Sequence, residues 1–210
     1  MPGEGPVTEA VDFCRMCGWD EDRFWEAGWP TSVICDCCGS ESGIGDMGAA
    51  PGSWSGVEGL HAFRGWWLGT GARWERPRRQ PGGWDVLRQL ENVPAHWRTP
   101  APPPADRDRR IAERASHGSL GTETVCRICG LPGEEDRWRT GRPTETICPA
   151  CGAESGMDDL GRPGDWDALH GIRARRGYWA AVGCPWAVPA ARPATWDLME
   201  QPARVPDAWR

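Results

Sequence analysis

Two short stretches near the start of the chain decide its fold: Phe13-Cys14-Arg15-Met16-Cys17-Gly18 and Ile34-Cys35-Asp36-Cys37-Cys38-Gly39. Each contains a Cys-x2-Cys pair followed directly by glycine, and 17 residues separate the two pairs. Two residues between thiolates make a tight turn that aims both sulfur atoms at one point, and two such turns complete a tetrahedron. The spacing therefore predicts a metal site with four cysteine ligands.

The same pattern returns further along the chain. A second set of two Cys-x2-Cys pairs, separated by 18 residues, consists of Cys126, Cys129, Cys148 and Cys151. Residues 51–98 also align without a gap on residues 163–210, and such a repeat sets the domain organisation. We therefore predict a first copy at 11–98, a Pro-rich and charged linker at 99–122, and a second copy at 123–210.

The eight paired cysteines are the predicted metal ligands: Cys14, Cys17, Cys35, Cys38, Cys126, Cys129, Cys148 and Cys151. Zinc prefers a tetrahedral set of sulfur ligands, and four protein ligands leave no open position for a reacting water. We therefore predict two structural zinc ions, one in each copy. Iron stays open as an alternative, because Cys148-Pro149-Ala150-Cys151-Gly152 resembles a rubredoxin knuckle and sulfur ligands alone do not distinguish the two metals.

The cysteine region of each copy resembles the small cysteine-rich bacterial proteins named for a Cys-Pro-Cys-Cys motif. The resemblance rests on the two quoted stretches and on the Glu41-Ser42-Gly43 that follows them, and it covers about a third of the chain. Both copies depart from the motif, since Asp36 replaces its proline in the first and Ala150 replaces its middle cysteine in the second. The resemblance implies no particular activity, because that family has no settled function.

Two cysteines lie outside the repeated pattern. Ala150 stands in the second copy where Cys37 stands in the first, and the four-cysteine pattern survives. Cys184 likewise has Ala72 in its place in the first copy. We interpret Cys37 and Cys184 as buried or idle thiols rather than metal ligands.

The compartment is predicted from the cysteines and from the start of the chain. The stretch 1–14 carries Glu4, Glu9 and Asp12, with no basic residue and no apolar run, so it does not resemble an export signal. No stretch approaches the roughly 20 apolar residues that a membrane-spanning helix needs. We expect a cytoplasmic protein, and in a reducing compartment clustered cysteines indicate metal binding rather than disulfides.

The charge of the chain favours some partners over others. Its formal net charge is −6, and four thiolates around one divalent ion add a further −2 at each site. A protein loaded with two ions would therefore carry a charge near −10. Such a charge works against general attraction to phosphate backbones and predicts a basic protein partner rather than nucleic acid.

Fifteen tryptophans accompany only three phenylalanines and one tyrosine. Six tryptophan pairs match between the copies and are candidates for the core: Trp25 with Trp138, Trp54 with Trp166, Trp67 with Trp179, Trp74 with Trp186, Trp84 with Trp196, and Trp97 with Trp209. Large aromatic side chains and a bound metal are how so small a unit gains stability. The unmatched Trp19, Trp29 and Trp66 either form a surface that contacts a partner or reflect drift between the copies, and drift is the simpler explanation.

The fold class follows from the knuckles and from one helical pattern. Val57, Leu60, Arg64 and Trp67 recur at helical spacing, and the second copy repeats the pattern. A second short helix is predicted to begin at Trp84-Asp85 and at Trp196-Asp197, before an extended tail packed back by its tryptophan. We expect a small metal-stabilised α+β protein of two tandem zinc-ribbon-like units, each with short β-hairpins followed by one or two helices.

No catalytic grouping stands out in the sequence. The four histidines do not align between the copies, and there is no phosphate-binding glycine loop or nucleophile elbow. An acidic loop follows the second knuckle of each copy and is a candidate for binding a partner: Glu41, Asp46, Glu154, Asp158 and Asp159.

Three hypotheses for function remain. The first is a non-enzymatic tandem zinc ribbon that mediates protein–protein interaction, of which an immunity or antitoxin-like protein is one version. The second is a zinc ribbon that binds nucleic acid, which the negative charge disfavours. The third is a rubredoxin-like iron protein that carries electrons.

Overall fold

The computed structural model describes most of both copies, namely residues 10–47, 49, 52, 54–98, 121–162 and 164–210. All but the last two residues of the predicted linker at 99–122 lie outside the described residues. Within the described ranges, no helix combines the length and the apolar content that crossing a bilayer requires.

In both copies a β-hairpin precedes one long helix, and short helical segments follow it. The first copy contains β1 (Trp25–Glu26), β2 (Trp29–Pro30), α1 (Trp54–Gly69), α2 (Val86–Leu90) and α3 (Ala95–Arg98). The second copy contains β3 (Thr122–Glu123), β4 (Trp138–Arg139), β5 (Arg142–Pro143) and α4 (Trp166–Ala181). Short 3-10 turns follow at Pro77–Arg79, Pro189–Ala191, Pro202–Arg204 and Asp207–Trp209. The predicted small α+β class is confirmed.

A β-hairpin joins the two cysteine pairs of each copy. Strands β1 and β2 pair antiparallel around Ala27 and Gly28, whose φ angles are 50° and 80°. Two positive φ angles in a two-residue loop define a type I′ turn, which matches the twist of the flanking strands. Thr140 and Gly141 make the same turn between β4 and β5, with φ angles of 49° and 78°. This hairpin carries the chain from one knuckle to the other.

Helices α1 and α4 pack directly against each other at two glycines. A Cβ added to Gly65 would lie 2.9 Å from the backbone nitrogen of Gly177 and closer still to the carbonyl oxygen of Arg173. A Cβ added to Gly177 would meet Gly65 and His61 in the same way. Gly65 and Gly177 hold the same place in the two copies, so equivalent positions meet at the crossing. The copies therefore share a helix interface that the sequence analysis did not predict.

The tryptophans form most of the core, with two exceptions to the predictions. Trp166 is 69% exposed, whereas its counterpart Trp54 is buried beside His61 and Tyr178. The prediction that both pack in the core is therefore wrong for Trp166. Trp19, predicted as a partner contact, is only 4% exposed and packs edge-to-face on Trp74 at 4.9 Å.

The second short helix forms in the first copy alone. Helix α2 begins after Asp85, whose carboxylate accepts hydrogen bonds from the backbone nitrogens of Leu87 and Arg88. In the second copy, Asp197 starts only turns and a 3-10 segment. Pro202 stands there where the first copy has a leucine, and proline interrupts an α-helix because it lacks an N–H and clashes with the preceding turn.

The predicted extended tails are also wrong in detail. Residues 95–98 form helix α3 and residues 207–209 form a 3-10 turn. Their tryptophans are nevertheless packed back as predicted, since Trp97 and Trp209 are both buried.

Candidate metal centres

The structure brings the eight predicted cysteines together in two groups of four: Cys14, Cys17, Cys35 and Cys38, and Cys126, Cys129, Cys148 and Cys151. All sulfur atoms within a group lie within 4.8 Å of one another. None of the ten cysteines is in a disulfide. The shortest sulfur–sulfur distances are 3.6 to 3.7 Å, far beyond the roughly 2 Å of an S–S bond.

These distances fit a tetrahedral metal ion. Metal–sulfur bonds of about 2.3 Å in a tetrahedron place neighbouring sulfur atoms about 3.8 Å apart. Cys14 and Cys38 lie 3.6 Å apart, and Cys126 and Cys151 lie 3.7 Å apart. Each group can therefore hold one ion with four thiolate ligands, and the distances do not select between zinc and iron.

Each knuckle is held by its own backbone. The N–H of Gly18 donates to the carbonyl of Cys14, and that of Gly39 donates to the carbonyl of Cys35. Both glycines have a positive φ, 80° and 73°, which a residue with a Cβ adopts only with strain. The second copy repeats both bonds at Gly130 and Gly152. The glycine after each cysteine pair is thus what closes the turn.

A buried arginine ties the first knuckle of each copy to the main helix. Arg64 donates from Nε to the carbonyl of Met16 at 2.6 Å and from Nη2 to that of Arg15 at 3.0 Å. Arg176 does the same in the second copy, with the carbonyls of Ile128 and Arg127 at 2.6 and 2.9 Å. Both guanidinium groups therefore fix the backbone between two metal ligands.

The charges of these arginines suit an anionic metal centre. Burial lowers the pKa of Arg64 and of Arg176 to about 10, and nearby thiols oppose the shift, so both stay charged at neutral pH. Burial raises the pKa of the Cys17 and Cys129 thiols, because a thiolate is disfavoured away from water. A divalent ion would replace those protons, and the guanidinium would balance part of the remaining negative charge.

The residue after the first cysteine of each copy lies between two tryptophans. The guanidinium carbon of Arg15 is 4.0 Å from the ring centre of Trp25 and 4.3 Å from that of Trp97. Arg127 lies between Trp138 and Trp209 in the same way, at 3.9 and 4.1 Å. Each sandwich joins the knuckle, the hairpin and the end of the copy through cation–π contacts.

The second knuckle of each copy is bound by the segment after the main helix. The backbone N–H groups of Glu75 and Arg76 donate to the carbonyls of Cys37 and Asp36, both at 2.9 Å. Ala187 and Val188 make the equivalent bonds in the second copy. Every knuckle is therefore held from outside as well as by its own turn.

Cys37 and Cys184 lie outside both groups of four. Cys37 is buried, and its sulfur accepts a hydrogen bond from Nε2 of Gln89 at 3.3 Å. In the second copy Ala150 offers no sulfur, and Nε2 of the equivalent Gln201 is buried without a partner. Cys184 is also buried, and burial raises its pKa. Both positions agree with the interpretation of these residues as buried thiols.

The comparisons with known proteins give no match. No family model matches the chain, and no curated protein or solved structure is significantly similar to it. The resemblance to the Cys-Pro-Cys-Cys proteins therefore stays an expectation based on the motif.

The acidic loops differ from the surface that we expected. Asp46 is buried, and its carboxylate accepts hydrogen bonds from Trp25 Nε1 and from the Gly43 backbone, each at 2.8 Å. Asp159 is fully buried and holds Trp138 and Gly156 in the same way. These two carboxylates are buried and engaged within their own copies, so they are not available to a partner.

The other three acidic candidates remain at the surface. Glu41, Glu154 and Asp158 are all partly exposed. The side chain of Asp158 already forms an ion pair with Arg175 at 2.8 Å. The predicted acidic surface is therefore smaller than the sequence indicated.

The two remaining tryptophan candidates lie in different places. Trp29 is 76% exposed on β2. Trp66 is partly exposed on α1 and lines a cavity of about 410 Å³ between the copies, together with Phe63 and Trp166. Trp166, predicted in the core, instead lines this cavity from the other copy.

Proposed function

We propose that this chain is a non-enzymatic, cytoplasmic tandem zinc-ribbon protein that acts by contacting another protein. The observation that carries the proposal is the pair of closed four-cysteine groups, in which seven of the eight ligands are buried. Four thiolate ligands complete the coordination of zinc and leave no position for a substrate, which supports a structural role. The resident ions then hold each copy in shape.

Metal content tests the first half of the proposal. Native mass spectrometry of the purified chain should find two bound ions, and elemental analysis should identify them as zinc. A strongly coloured protein would instead indicate ferric thiolate sites and favour the electron carrier. A chain without metal, or with one ion shared by both copies, would refute the tandem zinc ribbon.

Exposed apolar side chains support the second half of the proposal, namely contact with another protein. Ile34 and Ile147 hold equivalent places and are both exposed, and so are Ile44 and Met157. In the first copy Pro30 packs on Gly43, so strand β2, which carries the exposed Trp29, adjoins the segment that carries the exposed Ile44. Single exposed apolar residues are common, but repeated and adjoining ones favour a contact surface.

Charge supports a basic partner, such as the toxin that an immunity protein neutralises. The formal net charge of −6 becomes more negative when both sites are loaded, so attraction to a cationic protein is favoured. Ile44→Asp should abolish capture of such a partner in a pull-down, while the exposed Gln80→Ala should not. Tight, salt-sensitive binding of DNA or RNA in a gel shift, with no basic protein captured, would contradict the proposal.

A further inference from the structure

Cys151 differs from the other seven predicted ligands. It is partly exposed, whereas its counterpart Cys38 is only 6% exposed. We propose that Cys151 is a nucleophilic site that reacts with small, uncharged soft electrophiles, such as α,β-unsaturated carbonyl compounds. The inference rests on the metal centre proposed above, because a metal-bound cysteine is held as its thiolate, the nucleophilic form of the residue.

A cavity lies against Cys151. It has a volume of about 410 Å³, and its lining includes Cys151, Gly152, Tyr178, Trp179 and Trp186. Trp54 of the first copy also contributes to the wall. Aromatic walls of this kind suit a flat apolar molecule.

One difference between the copies leaves the space beside Cys151 open. In the first copy the carboxylate of Glu75 packs over Gly39, since a Cβ built there would lie 2.9 Å from Glu75 Oε2. Gly39 directly follows Cys38. The second copy has Ala187 in place of Glu75, and Ala187 is part of the cavity wall. The small side chain leaves open the space that the carboxylate covers in the first copy.

A second difference is that a hydroxyl beside the first group of cysteines has no counterpart beside the second. In the first copy Oγ of Ser40 lies 3.4 Å from the sulfur atoms of both Cys14 and Cys38. In a loaded centre, where every sulfur is a thiolate, this hydroxyl would donate its one proton to one of the two sulfur atoms and make that sulfur a weaker nucleophile. Ala153 holds this place in the second copy and has no hydroxyl. Cys151 is therefore more exposed than Cys38 and lacks the neighbouring hydroxyl.

Charge defines the class of electrophile. The loaded centre carries a charge of about −2, of which the buried Arg176 offsets about one, so the centre stays negative. Asp158 also lines the cavity, and its charge is balanced by Arg175 at 2.8 Å. A net negative wall repels anionic reagents, and aromatic walls disfavour strongly hydrated ones. A neutral electrophile of modest size fits both conditions.

The reaction is a conjugate addition. Sγ of Cys151 forms a bond to the β-carbon of the unsaturated carbonyl compound, and the C=C π pair moves to the α-carbon. The α-carbon takes a proton from water, which leaves hydroxide. The product is a neutral thioether, so the second centre loses one thiolate charge and binds its ion more weakly.

The test uses the full chain, with its metal content measured first by native mass spectrometry. Limiting N-ethylmaleimide followed by peptide mapping should label Cys151 at least ten times faster than Cys38. Iodoacetamide and iodoacetate form the same bond at sulfur, but only iodoacetate is charged. The ratio of the iodoacetamide rate to the iodoacetate rate should therefore be larger at Cys151 than for free cysteine.

Matched variants separate the effect of the missing hydroxyl on the reactivity of Cys151 from the effect of the open cavity. Ala153→Ser should slow labelling of Cys151 by supplying the hydroxyl, and Ala187→Glu should slow it by filling the cavity. Ser40→Ala should leave Cys38 slow, because Glu75 still covers it. All variants are compared at equal metal content.

The outcomes distinguish this inference from the proposed function. A protein that holds two ions but is labelled equally at Cys38 and Cys151 would overturn the reactive site and leave the zinc ribbon intact. Unchanged labelling in both Ala153→Ser and Ala187→Glu would also overturn it. A chain that holds no metal would refute the proposed function, and this inference would fall with it.

Discussion

Arg64 and Arg176 hold the same place in the two copies but make different numbers of bonds. Arg64 binds two knuckle carbonyls and donates to Nδ1 of His61 at 2.8 Å. Arg176 binds two knuckle carbonyls and, in addition, the carbonyls of Trp209 and Gly65 at 2.8 and 2.9 Å. Arg176 is therefore the side chain that joins a metal knuckle of one copy to the helix of the other.

This difference predicts unequal effects of the same substitution. Arg176→Met removes four hydrogen bonds to backbone carbonyls and should lower the free energy of unfolding by about 3 to 5 kcal/mol. Arg64→Met removes three, two to carbonyls and one to His61, and should lower it by about 2 to 3 kcal/mol. Urea unfolding of the metal-loaded variants measures both values. Equal losses, or a larger loss in Arg64→Met, would mean that the bonds to Gly65 and Trp209 add little.

His61 makes stability depend on pH. Burial first and the charge of Arg64 second lower its pKa to about 2, against an ordinary value of 6.5. Below pH 6.5 the unfolded chain binds a proton at His61 that the folded chain does not, so stability falls as the pH falls from 6.5 towards 2. At pH 5.5 the loss should be about 1.4 kcal/mol relative to neutral pH.

The variant His61→Gln isolates this effect. Glutamine keeps an oxygen that can accept the hydrogen bond from Arg64 but does not titrate. Between pH 7.5 and 5.5 the unfolding free energy of the wild type should fall by about 1.4 kcal/mol more than that of the variant. Protonation of the cysteines affects both proteins alike, so parallel curves would show that His61 does not titrate as described.

Residue by residue, the sequence predicted what depends on local spacing. The eight cysteines could be assigned because Cys-x2-Cys-Gly fixes its own turn. The sandwich of Arg15 could not, because Trp97 reaches it from the far end of the copy. Asp46 looked like a surface acid, since nothing near it in the chain reveals that Trp25 donates to it. The repetition of Cys-Arg-x-Cys with matched tryptophans was the signal that could have identified both contacts.

At the scale of elements, the crossing of α1 and α4 depends on the missing side chains of Gly65 and Gly177. A Cβ at Gly65 would overlap backbone atoms of α4, and backbone does not move aside as a flexible side chain does. Gly65→Ala should therefore force the helices apart and lower the unfolding free energy by about 3 kcal/mol, at the upper end for overpacking. Thermal or urea unfolding measures this loss.

The same helix supplies the control. Gly59 is exposed, and a Cβ added there meets nothing within 4 Å. Gly59→Ala should stabilise the protein by about 0.5 to 1 kcal/mol, because alanine favours a helix interior over glycine. If both substitutions shift stability in the same direction, the close approach at Gly65 is not what holds the helices together.

Helices were predictable where the helical spacing of the buried residues or the N-cap residue gives a strong signal. The helical spacing of Leu60, Arg64 and Trp67 predicted α1, and its repeat predicted α4. The short helix after Asp197 failed because one proline four residues beyond the helix start outweighs a good cap. The partner of α1 was not predictable, since the glycines that meet at the crossing resemble ordinary weak positions in a helix.

At the scale of the whole molecule, the two copies keep one framework and differ in what surrounds the metal centres. Ser40 and Glu75 shield the first centre, and their alanine counterparts expose the second. Trp54 is buried, and its counterpart Trp166 faces solvent. Such differences leave the hairpins and main helices unchanged, so the repeat supports distinct roles for the two copies on a common structure.

From the repeat and the Pro-rich, charged linker alone, the two copies would be expected to fold independently, and Cys126→Ser would unfold the second and leave the first intact. The interface changes that expectation. Arg176 binds the second knuckle and Gly65, and Glu58 pairs with His170 across the copies at 3.2 Å. Loss of the second centre frees the knuckle that positions Arg176, and α1 then loses its packing partner.

We therefore expect Cys126→Ser to weaken the first centre as well, although none of its ligands is changed. A chelator should remove the remaining ion from this variant at least ten times faster than it removes the corresponding ion from the wild type, and hydrogen exchange in α1 should increase. Cys184→Ala is the control, because it changes a buried cysteine of the second copy that lies outside its group of ligands and for which the first copy has alanine. Release from the first centre at the wild-type rate in Cys126→Ser would mean that the copies are independent despite their shared helix interface.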